Sequence, residues 1–211
     1  MKYLLSILLL LLITNCSSTK INSKTALFSK GERALILSDS VTKPMRVLLI
    51  TNAKDSMVLR SKSTAIKPNI DNKTLRHFTK RLYATVRDSA TRGVGIAAPQ
   101  VGILKKIIWI QRFDKEDKPF EVYFNPEIKK YSEMKQDVME GCLSIPGIRG
   151  NPGMRAYAIF LVYDDRKGKQ KCEMVEAFTA VIFQHEIDHL SGIMFTDHLK
   201  KETKKSIKHG L

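Results

Sequence analysis

Apolar residues cluster unevenly along this chain, and their spacing changes from segment to segment. Tyr3 to Ile13 is almost wholly Leu and Ile and follows Lys2. The run is shorter than the ~20 apolar residues of a membrane-spanning helix and fits the apolar core of an export leader. From Ser17 to about Pro44 the periodicity fades, so this span reads as a tether with a short strand expected at Ala34 to Leu37. Val47 to Ile50 reads as a strand. Between Asn72 and Arg92, Leu75, Phe78, Leu82 and Val86 recur at helical spacing, and Gly93 suits the stop. Ile107 to Ile110 reads as a buried strand. Glu121 to Phe124 reads as another, ended by Asn125-Pro126. Tyr157 to Tyr163 and Lys171 to Ala177 flank the turn residues Asp165-Arg166-Lys167-Gly168, a hairpin pattern. Phe178 to Leu190 predicts an apolar-rich helix closed by Gly192, and Thr196 to His209 a last polar helix.

Strands outnumber helices, and the two do not alternate as parallel β/α units would. The fold class is therefore α+β, with antiparallel β-sheets packed around one central helix. At 211 residues the chain is long enough for one sizeable core. The expected organisation is a leader over 1–16, a linker over 17–44, a catalytic domain over 45–199 and a basic tail over 200–211.

Charge adds a second feature. The formal net charge is +15, and lysines thicken at the end: Lys200, Lys201, Lys204, Lys205 and Lys208. A field of that sign attracts anionic partners, such as ribosomal RNA or an anionic membrane surface. No aromatic residues interleave the charges as a base-stacking surface needs, so no sequence-specific nucleic-acid binding is expected. The plainest reading is a solvated basic surface, on a protein expected to act as a monomer.

The cysteines Cys16, Cys142 and Cys172 stand far apart and form no CxxC pattern. Cys172 is expected to pack within its strand. Cys16 follows the apolar leader and precedes Ser17-Ser18, which resembles the cleavage region of bacterial lipoproteins and makes Cys16 the lipidation candidate. Asn15 stands where such sequences usually carry a small Gly or Ala. The expected location is a membrane-associated lipoprotein or exported protein. An uncleaved N-terminal anchor is one alternative. Translation from Met45, giving a cytoplasmic protein, is another.

The chemistry gathers in His185-Glu186-Ile187-Asp188-His189. Two histidines four positions apart share one face of a helix, so both imidazoles reach one metal ion. Glu186 beside them is no ligand but a ready general base for water at that metal. Upstream, Glu140-Gly141-Cys142-Leu143-Ser144 offers a thiolate. Cys142, His185 and His189 make three protein ligands with an open fourth position, the catalytic rather than the structural arrangement. Gly93-Val94-Gly95-Ile96-Ala97-Ala98-Pro99-Gln100 is the third element; its glycines and alanines let something approach the backbone closely. It lacks the Lys-Ser/Thr of a phosphate loop.

Together these segments resemble the peptide deformylase family, whose signatures GxGxAAxQ, EGCxS and QHExDHLxG stand intact at Gly93 to Gln100, Glu140 to Ser144 and Gln184 to Gly192. The resemblance covers roughly Met45 to Leu199. It implies a metal-dependent hydrolase that removes the formyl group from N-formylmethionyl peptides or nascent chains. It implies one divalent metal ion, Fe(II) in the family, with Zn(II) the safer ion for an exported form because zinc has no redox chemistry. It assigns Glu186 the proton transfers, and gives the oxyanion two donors: the Gln100 side-chain amide and the Leu143 backbone N–H.

By the same resemblance, backbone around Gly93, Val94 and Gly95 pairs with an extended peptide. Val94, Val138, Leu143, Val181 and Ile182 are candidates for the methionine pocket. Glu140 is expected to pair with Arg155 and buttress the cysteine loop. Two other functions compete. One is an exported deformylase-like protein that binds formyl peptides with little or no turnover. The other is an HExxH zinc peptidase, whose downstream third ligand would be His198 or Glu202, since Phe195 stands where a metzincin has its third histidine.

Overall fold

The structure is a computed structural model and describes residues 27–69, 71–89 and 93–199. In chain order the elements are α1 (Lys30–Ile36), α2 (Ala53–Leu59), α3 (Lys73–Val86), β1 (Gly95–Ala97), β2 (Ile107–Gln111), β3 (Phe120–Tyr131), β4 (Lys135–Gln136), β5 (Glu140–Cys142), β6 (Ile145–Gly150), β7 (Arg155–Ala156), β8 (Ala158–Asp164), β9 (Gln170–Glu176) and α4 (Ala177–Leu190). A five-stranded sheet runs in the order β1-β2-β3-β8-β9, and every neighbouring pair is antiparallel. Two small ribbons, β4-β7 and β5-β6, complete the strands. This is the expected α+β class.

The sheet is buried on both faces, and the two-residue period of a strand sorts its side chains. Ile96, Ile107, Trp109, Val122 and Phe124 join Leu75, Phe78, Leu82 and Val86 of α3 in one core. Ala97, Ile108, Ile110, Tyr123, Ile159, Leu161 and Val175 join Ala180, Ile182 and Phe183 of α4 in a second. That double burial is why Ile107 to Ile110 shows no polar alternation. Helix α4 lies beneath the sheet with ten of its fourteen residues buried, so its chemistry-bearing side chains are held in a rigid, water-poor setting.

Several expectations change. The strand expected at Ala34 to Leu37 is instead the end of α1, which opens on a capping box. Ser29 accepts from Glu32 N–H and the Glu32 carboxylate accepts from Ser29 N–H. The span 17–44 is therefore not a tether throughout: Phe28 and Ile36 are buried in the α3 core. Arg81 of α3, itself buried, donates to the carbonyls of Leu35, Ile36 and Lys43.

Val47 to Ile50 forms no strand. Leu48 N–H donates to Gln100 O and Ile50 N–H to Ser144 O, so its hydrogen bonds go to two site loops rather than to a ladder. Helix α3 ends at Val86 with Arg87 as its C-cap, well short of Gly93. Strand β3 does not end at Asn125-Pro126 but passes through them by a bulge, with Asn125 at φ 49°. Pro126 falls in that irregular step, where the ladder does not need an N–H. Residues 195–199 are helical; the rest of the helix expected to His209, the leader and Cys16 lie outside the described residues. Cys172 is exposed rather than packed, and it and Cys142 are free thiols.

Candidate metal centre

Three segments distant in sequence meet at the N-terminal strand of the sheet. Strand β5 brings in Cys142, α4 brings in His185 and His189, and β1 runs past both. One ligand atom from each of Cys142, His185 and His189 lies within 4.8 Å of the others. Cys142 Sγ is 3.3 Å from His189 Nε2. Across a tetrahedral zinc with its usual bond lengths, sulfur and nitrogen stand about 3.5 Å apart, so the donor set fits one such ion. The site also contains a buried polar atom with no protein partner, Glu186 Oε2, beside that set.

The protonation pattern suits the same purpose. His185 Nδ1 lies 2.7 Å from Glu140 Oε2. A carboxylate accepts, so Nδ1 carries the proton and Nε2 is left free to ligate. Glu140 is held by Arg155, whose Nε and Nη2 donate to its two oxygens at 2.7 and 3.1 Å. The expected Glu140–Arg155 pair is thus present. Arg155 also donates to Asp188 Oδ2 at 2.8 Å, and Asp188 takes a further contact from His198 Nε2 at 2.9 Å. His198 is therefore engaged with Asp188 and is not part of the ligand set, and Glu202 lies outside the described residues.

Burial would push the Cys142 thiol up, but the imidazoles of His189 and His185 outweigh it and bring the thiol down to about 5. It is a thiolate at neutral pH, the form that binds metal. Burial pushes Glu186 the other way, up to about 7, against the pull of the two imidazoles. A carboxylate titrating there can both take and return a proton near neutral pH.

Gln100 sits in the 3-10 turn after β1. Its Oε1 accepts from Ala97 N–H at 2.8 Å, which fixes the amide with Nε2 toward Ser144 Oγ at 3.3 Å and Cys142 Sγ at 3.7 Å. Leu143 opens the turn between β5 and β6, next to Cys142. The site faces a cavity of about 440 Å³. Gly93, Val94, Gly95, Gln100, Leu143, Val181 and Ile182 all line it, with Cys142, His185 and Glu186 at its floor. Val138 is not in the lining. The next residue, Met139, is, together with Ile148, Arg149 and Phe178. Sequence reading missed these because Ile145 to Gly150 carries no strand alternation, and nothing marked it as folding back over Gly141.

Fold and site together fit a metallohydrolase of the HExxH kind, in which Cys142 from upstream stands close enough to His185 and His189 to share one ion with them. Comparison with known proteins narrows this. A profile of the polypeptide deformylase family matches residues 47–205. The peptide deformylase of Desulforudis audaxviator is 41% identical over 143 residues, covering 66% of this chain and 86% of that protein. That of Leptospira biflexa is 33% identical over 151 residues, covering 68% and 83%. Among solved structures, a class I type b peptide deformylase from Acinetobacter baumannii bound to Met-Ala-Ser superposes with TM-score 0.63 at 31% identity, over 74% of this chain and 99% of that one. The Thermotoga maritima enzyme gives 0.64 at 28%, over 73% and 96%. The chain belongs to the peptide deformylase family, and its activity is the metal-dependent removal of an N-terminal formyl group.

Proposed function

We propose that this chemistry is carried out at the Cys142–His185–His189 centre on N-formylmethionyl peptides, with Glu186 as general base and then general acid. The observation that carries the reading is the buried, partnerless Glu186 Oε2 beside a thiolate and two imidazoles that can share one ion. A divalent metal held there supplies a Lewis acid that acidifies water and polarises the formyl oxygen. Glu186 takes the proton of the attacking water and returns it to the amine nitrogen as the C–N bond breaks, giving formate and a free N-terminus. Gln100 Nε2 and the Leu143 N–H donate to the oxygen that gains negative charge, each worth about 3 kcal/mol. The free edge of β1 at Gly95 accepts an extended peptide, and Val94, Leu143, Val181 and Ile182 surround the methionine side chain. Binding of Met-Ala-Ser by the Acinetobacter baumannii relative supports a peptide that begins with methionine as the ligand. Formate release from formyl-Met-Ala-Ser by metal-loaded protein tests the assignment.

The leader supports a second part of the proposal: export, with lipidation of Cys16 and zinc as the working ion. No helix among the described residues is long and apolar enough to cross a membrane. Mass spectrometry of the N-terminus with fractionation, and elemental analysis of anaerobically purified protein, test it. Iron in a demonstrably exported form contradicts the zinc assignment.

A further inference from the structure

The five-stranded sheet has two edges. Strand β1 borders the metal centre, and β9 forms the opposite edge. Asp165 N–H donates to Lys169 O at one end of the β8–β9 ladder, and Ala177 N–H donates to Tyr157 O at the other. Between these ends Asp164 faces Gln170, Val162 faces Cys172 and Phe160 faces Met174. Facing pairs in an antiparallel ladder alternate between bonded and unbonded, so the odd-numbered residues of β9 are the ones that bond to β8. The N–H and C=O of Gln170, Cys172 and Met174 therefore point away from the sheet. Among the described residues these groups have no hydrogen-bond partner, and all three residues are exposed. A free edge of this kind is a template for another strand.

The charges on β9 select the strand that fits. Lys171 and Glu173 are two positions apart and share one face of the sheet. Glu173 is fixed there by Arg112, which donates to both its oxygens at 3.0 Å. The same guanidinium serves Asp114 and Glu121, and Lys115 is the further cation paired with Glu121. Three carboxylates thus meet two cations, and negative charge is left over. If a second β9 pairs antiparallel about a two-fold axis at Cys172, Lys171 stands opposite the partner's Glu173, and Glu173 opposite the partner's Lys171. Both fall in unbonded pairs, where side chains come closest. A register centred on Lys171 or on Glu173 would instead set like charges face to face on the axis. We infer that β9 is an interface for a second copy of this chain, with the two-fold axis at Cys172. The two copies form one continuous sheet with a β1 at each far end, so neither metal centre is covered. A single seam of two strands falls short of the ~1,200 Å² buried in a stable complex, and the association is weak and sensitive to salt.

The test is disulfide capture. Full-length, zinc-loaded protein is equilibrated with reduced and oxidised glutathione, and the linked peptides are mapped by mass spectrometry. One Cys172 thiolate attacks oxidised glutathione and releases one glutathione thiolate. The partner's Cys172 then displaces the second, so two protein thiols are oxidised as one glutathione disulfide is reduced. The expected product is a Cys172–Cys172 link, with Cys142 held back by the zinc. Lys171→Arg keeps the yield, and Lys171→Glu lowers it about tenfold at low salt because two attractive pairs become repulsive. The register is read on a Cys172→Ser background. Gln170→Cys mixed with Met174→Cys gives a link, whereas either alone gives none, its two copies lying about 14 Å apart along the seam. Lys171 and Cys172 are not among the residues lining the cavity, so formate release per chain is the same in linked, unlinked and Lys171→Glu protein. A wild type that stays unlinked, whether another segment or nothing holds the edge, overturns the proposal. So does an equal yield in Lys171→Glu, which chance collision of exposed thiols would give. Self-linking by Gln170→Cys would mean a different register and overturns it as well.

Discussion

Glu186 Oε1 occupies the space that a side chain on residue 95 would need: a Cβ on Gly95 would lie 2.6 Å from that oxygen and 2.8 Å from Ile182 Cγ2. The second glycine of the first motif thus sets how closely the strand that borders the cavity can approach the Glu186 carboxylate. Gly95→Ala is expected to move Glu186 rather than unfold the protein, since the neighbour under most pressure is a side-chain end. Displacing a proton-transfer group by about 1 Å is expected to lower kcat/KM by about 100-fold. Metal content should stay near one per chain. Steady-state kinetics with elemental analysis checks this; full activity in the variant would remove the close approach from the account.

The Arg155–Glu140–His185 chain predicts a metal-affinity effect. Arg155→Leu leaves two carboxylates, Glu140 and Asp188, without their cation in a buried setting. Stability is expected to fall by about 3–5 kcal/mol. With His185 less firmly oriented, zinc affinity should fall about 10–100-fold. Competition with a chromophoric chelator measures the second effect separately from the first.

Removing the metal should expose the character of Cys142. Its thiol is brought down to about 5 by the two imidazoles, so in metal-free protein its alkylation by iodoacetamide should rise with a midpoint near that pH rather than near ~8.5. Zinc should protect it. Peptide-level mass spectrometry across pH reads both, with the exposed Cys172 as an internal reference for reagent access.

A chain beginning at Met45 would lose α1. Phe28 and Ile36 would leave the core, each removing about 1.5–3 kcal/mol of burial, and the buried Arg81 would lose its Leu35 and Ile36 carbonyl partners. At about 2–4 °C per kcal/mol for a domain of this size, the melting temperature should drop by roughly 10 °C or more. Thermal unfolding of the full and shortened chains compares them; equal stability would mean that α1 adds nothing to the core.

What was legible in the sequence follows from how locally each feature is specified. His185 and His189 share a helix face by spacing alone, and the Ile107–Ile110 run announces a strand buried on both sides. The role of Cys142 needed the joint pattern of three motifs, because a lone cysteine carries no geometry. Helix α1 was readable in principle from Ser29 and Glu32, but its few apolar residues show no period across so short an element. The bulge at Asn125-Pro126 was hidden because Asn-Pro is an equally good strand terminator. That Arg149 lines the cavity was invisible because it depends on pairing across the ribbon with Gly141, and register is a tertiary property.

The most direct test of the central claim is formate release from formyl-Met-Ala-Ser by zinc-loaded wild-type protein beside zinc-loaded Glu186→Gln. Both should carry about one metal per chain. Turnover by the wild type and a loss of at least about 100-fold in the variant are expected, since the amide cannot accept the water's proton. Turnover that survives in Glu186→Gln, or none in fully metal-loaded wild type, would contradict it.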